Sequence, residues 1–119
     1  MKRLLILAFF LTAFGLNAAD SGSLNATIER LLKTVEKSDA VFIRNGDEHT
    51  GKEASEHMRR KYEHFKKSIK TPEDFIEKCA TKSELSDKPY QIKTSEGKVV
   101  PAKDWMLALL EQDRKAASP

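Results

Sequence analysis

The opening of the chain sets aside its first residues before any fold is considered. Met1-Lys2-Arg3 leads into a run from Leu4 to Phe14 whose sole polar residue is Thr12, and Gly15-Leu16-Asn17-Ala18-Ala19 follows. A basic start, an apolar run and a small-residue zone are the three parts of a secretory signal. A spanning helix needs about 20 apolar residues, and Asn17 and Asp20 end this run too early. The expectation is a signal peptide over 1–18, cleaved after Ala18 or Ala19, and a single domain over 19–119. No cysteine stands near the cleavage zone, so lipoprotein processing is not expected.

That division changes how the charge reads. The chain has 21 Lys and Arg against 18 Asp and Glu, a formal +3. Lys2 and Arg3 account for two of those three charges, which leaves a nearly neutral domain. Its acids and bases are interleaved, as in Lys33…Glu36-Lys37 and Glu56…Arg59-Arg60, the pattern of a solvated helix face. The densest basic stretch, Arg59-Arg60-Lys61 with Lys66, Lys67 and Lys70, is expected to be such a face rather than a site for an anionic partner. A nucleic-acid partner is not expected of such a chain. The single cysteine, Cys79, excludes an intramolecular disulfide framework and a cysteine zinc cluster.

Periodicity supplies the elements. Leu24, Ile28, Leu31, Leu32 and Val35 form one helical stripe, with Ser23 or Asn25 as the cap. Ala40 to Arg44 has the β-branched and aromatic content of a strand, and Asn45-Gly46 is expected to stop it. Thr50-Gly51-Lys52-Glu53 is a capping box for a second helix with Ala54, Met58, Tyr62 and Phe65 inward and Ile69 extending the stripe. Thr71-Pro72-Glu73-Asp74 starts a short third helix with Phe75, Ile76, Cys79 and Ala80 inward. After a polar loop from Thr81 to Lys88, Tyr90–Thr94 and Lys98–Val100 flank Ser95-Glu96-Gly97 as a hairpin. Pro101 opens a last helix with Ala102, Trp105, Met106, Leu109 and Leu110 inward. The fold class is α+β and mainly helical: about four helices on a small sheet of one strand plus a β-hairpin.

Several short motifs run through this order: Phe42-Ile43-Arg44-Asn45-Gly46, Ala54-Ser55-Glu56-His57-Met58-Arg59-Arg60-Lys61, Phe75-Ile76, Ser83-Glu84-Leu85-Ser86 and Pro89-Tyr90. The series resembles the YfeK-like family of small exported bacterial proteins, a domain family of unknown function, from about Leu24 to about Leu110. The resemblance implies an exported, periplasmic, mainly helical domain and brings no catalytic residues. Many members of that family carry a cysteine pair where this chain has Ala40 and Thr94, which implies that strands 40–44 and 90–94 lie side by side. Asp87 stands where relatives often have Gly.

The candidate chemistry centres on His57. His49, His57 and His64 are the three histidines. His57 and His64 share a helix face but stand about 10 Å apart along the axis, so one metal cannot take both. Glu53 and His57 at i, i+4 could share a zinc with His49, although the capping box already explains Glu53. His57 could instead be a general base toward Ser83, Ser86 or Tyr90, but no G-x-S-x-G elbow supports this. Cys79, on an apolar helix face, reads as a buried inert thiol. Lys61 takes the place in its stripe that Leu31 takes in the first helix. The favoured expectation is that it snorkels out along its stem; the alternative is a polar cluster of Arg44, Asn45, His57 and Lys61 that receives an anion. For Arg44 the plain expectation is a strand-end side chain bonding the adjacent turn.

The functional expectation is an exported, soluble, non-catalytic binding or accessory protein of the periplasm, with no cofactor and no bound metal. The candidate binding residues are Arg44, Asn45, His49, His57, Lys61, Ser83, Ser86 and Tyr90. The expected partner is a periplasmic protein or a small anionic ligand, and the membrane is met only through the signal during export. The alternative is a small hydrolase or metal-binding protein centred on His57. A binding module predicts a concave or flat polar-aromatic surface, whereas an enzyme predicts His57 within about 3 Å of a hydroxyl.

Overall fold

The leucine-rich stripe forms helix α1, which runs over 24–37 in a computed structural model describing residues 24–117. The expected signal peptide lies outside the described residues, as does Ser23. Asn25 is inside α1 and not its cap; its Oδ1 accepts from the Tyr62 hydroxyl at 3.3 Å. Ile28, Leu31, Leu32 and Val35 are buried.

Strand β1 (Val41–Arg44) follows, and here the structure corrects the sequence reading. Asn45-Gly46 ends β1 as expected, but a further strand, absent from the sequence reading, follows it. Both residues adopt positive φ, 54° and 85°, the geometry of a two-residue type I′ hairpin turn. The chain therefore folds back as β2 (Asp47–His49), with Phe42 opposite His49 and Arg44 opposite Asp47. Asp-Glu-His carries no strand signal of its own. It is an edge strand, which needs no alternation and is protected by its charges. The sheet thus has four antiparallel strands in the order β2-β1-β3-β4, where β3 is Gln91–Lys93 and β4 is Val99–Pro101. Pro101 closes β4 rather than opening the last helix.

The register of β1 on β3 bears on the implied cysteine pair. Val41 faces Lys93 and Phe42 faces Ile92, so the same register continued by one residue brings Ala40 opposite Thr94. Asp87 adopts φ 63°, a left-handed conformation that glycine takes without strain and Asp tolerates.

Helix α2 (Gly51–Phe65) starts at the reciprocal Thr50–Glu53 capping box, and α3 (Pro72–Cys79) starts at a second box between Thr71 and Asp74. A single 3₁₀ turn, Lys66–Ser68, leads out of α2. Gly51 is required by packing: a Cβ there would collide with the Val35 carbonyl oxygen and stand 3.0 Å from that of Ser38, because α2 begins hard against the end of α1. Helix α4 (Ala102–Ala117) buries Ala102, Met106 and Leu110 in the core, while Trp105 and Leu109 are partly buried against it. Phe75, Ile76, Cys79 and Ala80 are all buried as expected. Burial raises the Cys79 thiol to about 12, the state of an inert core cysteine.

Bidentate ion pairs tie the helices at the surface: Arg30 with Asp113 joins α1 to α4, Arg59 with Glu29 joins α2 to α1, and Arg114 with Glu73 joins α4 to α3. No helix among the described residues is long and apolar enough to cross a membrane.

Candidate functional site

Three elements meet beside the middle of α2. The last residue of β1 is Arg44, α2 presents His57 and Lys61, and the residue before β3 is Tyr90. Tyr90 is fixed by its backbone, which donates to the Thr81 carbonyl at 2.9 Å and accepts from the Ala102 N–H at 2.9 Å. Its ring is buried edge-on to the His57 imidazole, with centroids 6.0 Å apart.

The contacts assign the protons. Arg44 Nη1 lies 3.1 Å from His57 Nδ1 and 3.3 Å from Nε2, and Nε2 lies 3.1 Å from the Tyr90 hydroxyl. A guanidinium only donates, so one ring nitrogen offers it a lone pair, a role assigned to Nδ1 as the nearer of the two. Nε2 then carries the proton and donates it to Tyr90 Oη. Lys61 Nζ is 3.4 Å from the same oxygen and 5.3 Å from the ring centroid. With two donors aimed at it, the Tyr90 oxygen acts as acceptor, and its own hydroxyl proton remains available to a ligand.

Electrostatics fixes this state. Burial, then the positive charges of Arg44, Lys61 and Arg60, depress the His57 pKa from 6.5 to about 4. A second ring proton would confront Arg44 donor to donor. His57 is therefore neutral at physiological pH.

Lys61 does not snorkel. Its side chain is only 10% exposed and its ammonium donates to the Lys82 carbonyl at 3.1 Å, with the Glu84 carboxylate at 3.6 Å. Close carbonyl and carboxylate partners hold the ammonium in place, and Tyr90 links Lys61 to His57 and Arg44, whereas Asn45 bonds Ser83 and Ser86 instead. Arg44 likewise bonds His57 rather than its own turn. Among the described residues it forms no ion pair, unlike Arg30, Arg59 and Arg114. The basic stretch of α2 is thus divided: Arg59 pairs with Glu29, Lys61 turns inward, and Arg60 lines a cavity.

That cavity, of about 200 Å³, opens beside Arg44, His57 and Tyr90. Phe42, Ala54, Met58 and Ala102 give it apolar walls, and His49, Glu53, Glu56 and Arg60 complete its polar side. His49 Nε2 is buried without a partner, while its Nδ1 faces Glu53 Oε1 at 3.6 Å.

The remaining candidates form a separate group. Asn45 donates to Ser83 Oγ at 3.4 Å and accepts from the Ser86 hydroxyl, and Ser83 Oγ accepts from the Leu85 and Ser86 backbone. These bonds brace the loop between Thr81 and Tyr90 against the β1 turn, with both serine hydroxyls occupied in that task. Of the eight candidates, Arg44, His49, His57 and Tyr90 line the cavity, Lys61 supports it through Tyr90, and Asn45, Ser83 and Ser86 hold the adjoining loop. Sequence reasoning missed Glu56, Arg60 and Glu84, whose surface-like spacing gave no signal. Glu53 serves the Thr50 cap, its carboxylate accepting from the Thr50 N–H at 3.0 Å and its own N–H donating to Thr50 Oγ1 at 3.1 Å, and no group of three His, Cys, Asp or Glu among the described residues could hold a metal.

Comparison with known proteins places the chain. The family of unknown function DUF5329 matches residues 22–114. The chain is 39% identical over 74 residues, 62% of its length, to the uncharacterized protein YfeK of Salmonella typhimurium. That match spans 59% of the relative's own length. No solved structure matches.

Proposed function

The chain belongs to that family of unknown function, and from this premise we propose that it is an exported accessory protein of the periplasm. In this reading it works without catalysis and binds a small carboxylate-bearing ligand. The observation that carries the reading is Arg44: a guanidinium at the mouth of an apolar-walled cavity, with a neutral imidazole as its sole side-chain partner among the described residues. Arg presents a planar fork of donors that matches a carboxylate in two bonds. His57 occupies one of those donors and orients the fork, and the Tyr90 hydroxyl proton supplies a further donor. The basic-apolar-small pattern of residues 1–19 supports export.

Two experiments test this. In cells expressing the full chain, fractionation should recover the protein in the periplasm with its N-terminus at Ala19 or Asp20; a cytoplasmic, uncut product contradicts export. In an NMR titration of the purified protein with isovalerate, amide shifts should concentrate at Arg44, His57 and Tyr90 and vanish in Arg44→Gln. Unlocalised shifts in both proteins contradict the site.

One contact favours a second reading, a small hydrolase: His57 Nε2 stands 3.1 Å from a hydroxyl. The roles are unfavourable, since Nε2 already holds a proton and an arginine, not a carboxylate, faces the other nitrogen. Hydrolysis of p-nitrophenyl acetate should therefore proceed equally with wild type and His57→Gln.

A further inference from the structure

The cavity is not lined by donors alone. Opposite in character to Arg44 and Tyr90, Glu53 and Glu56 stand on the same wall of α2 and are 60% and 55% exposed, open to a cation arriving from solvent. Among the described residues Glu56 forms one ion pair, with Lys52 at 3.9 Å, an exposed i,i+4 pair that contributes little, and it shares the cavity wall with Arg60. A second observation points the same way. His49 Nε2 is the one buried side-chain nitrogen or oxygen without a hydrogen-bond partner among the described residues. A carboxylate 3.6 Å from Nδ1 favours the tautomer with its proton on Nδ1, and in that tautomer Nε2 is an unused lone pair. Such a group is costly to leave unmet and rare in folded proteins. It calls for an N–H donor.

We propose that the ligand is a small zwitterion, a free α-amino acid with an apolar side chain. Its carboxylate meets Arg44 and the Tyr90 hydroxyl, its ammonium is held by Glu56 and His49 Nε2, and its side chain lies on Phe42, Ala54 and Met58. This rests on the carboxylate reading above and adds the second charge to it. Size agrees: about 200 Å³ lies below the range of drug-sized pockets and suits a single metabolite.

The test compares L-valine with isovalerate, the same skeleton without the amino group, by calorimetric titration of the purified protein. L-valine should bind about tenfold tighter or better, as expected for an added charge-assisted contact. Glu56→Gln should erase most of that difference, and the ¹⁵N resonance of His49 Nε2 should move with L-valine and not with isovalerate. If both ligands bind equally and both are lost in Arg44→Gln, the zwitterion is wrong and the carboxylate site stands. If neither binds, both readings fall. Glu56 is exposed and outside the capping box, so its variant is expected to fold; equal melting of Glu56→Gln and wild type verifies that.

Discussion

Helices α1 and α2 carry similar apolar stripes and use them for different ends. In α1 every stripe position from Ile28 to Val35 is apolar and sealed, with exposure of 2% or less. In α2 the buried line of Ala54, Met58 and Tyr62 is flanked by His57 and Lys61, which turn toward Tyr90 and the loop after α3. Lys61 stands where Leu31 stands in α1. One helix is assembled for burial alone; the other gives up apolar contact to hold a polar cluster beside a cavity. Where a local pattern is broken and the break is fully bonded, a site is the first explanation to test.

Substitutions that exchange the two behaviours should separate them. Leu31→Ala removes a sealed leucine and should cost about 3 kcal/mol in urea unfolding, with no effect on the cavity. A loss under about 1 kcal/mol would mean that α1 is not the core helix described. Gly51→Ala tests where the two helices abut. Helix propensity alone favours Ala by about 1 kcal/mol, but the collision with Val35 should reverse the sign, for a net loss of about 2 kcal/mol. Lys61→Met should cost about 1–2 kcal/mol, since the Lys82 carbonyl and the Tyr90 oxygen lose a charged donor. Equal or greater stability would restore the snorkelling lysine.

The smallest effect is pH-dependent. His57 titrates near 4 in the folded chain and at 6.5 as an unperturbed side chain. Between these values the unfolded chain binds a proton that the folded chain refuses. Its contribution therefore leaves stability intact above about pH 6.5 and lowers it as pH falls toward 4. Because His57 is only half-buried, solvent screening reduces this to about 1 kcal/mol. Comparing urea midpoints of wild type and His57→Gln at pH 7 and pH 4.5 isolates the term: wild type should lose more on acidification.

Much of this was legible before the fold. The Thr50–Glu53 capping box, the α3 start at Thr71-Pro72 and the inward faces of α1, α3 and α4 follow from local chemistry that tertiary context did not override. β2 is not legible because Asp47-Glu48-His49 has no strand composition; its signal lies in Asn45-Gly46, which stops β1 and also turns the chain back on it. The eight candidate residues were found by type, yet their division into a cavity group and a loop group depends on how β1 pairs with β3 and how α2 lies across them. No spacing in the sequence encodes that.

The central claim is that Arg44 is kept for a ligand and not for the fold. Its side chain bonds one neutral imidazole and has no carboxylate partner among the described residues, so the fold should scarcely need it. The direct measurement is the unfolding free energy of Arg44→Leu without ligand. The account predicts a value within about 0.5 kcal/mol of wild type, as for a substitution outside the core and its ion-pair clamps. A loss of about 2 kcal/mol or more would make Arg44 a structural residue and contradict it.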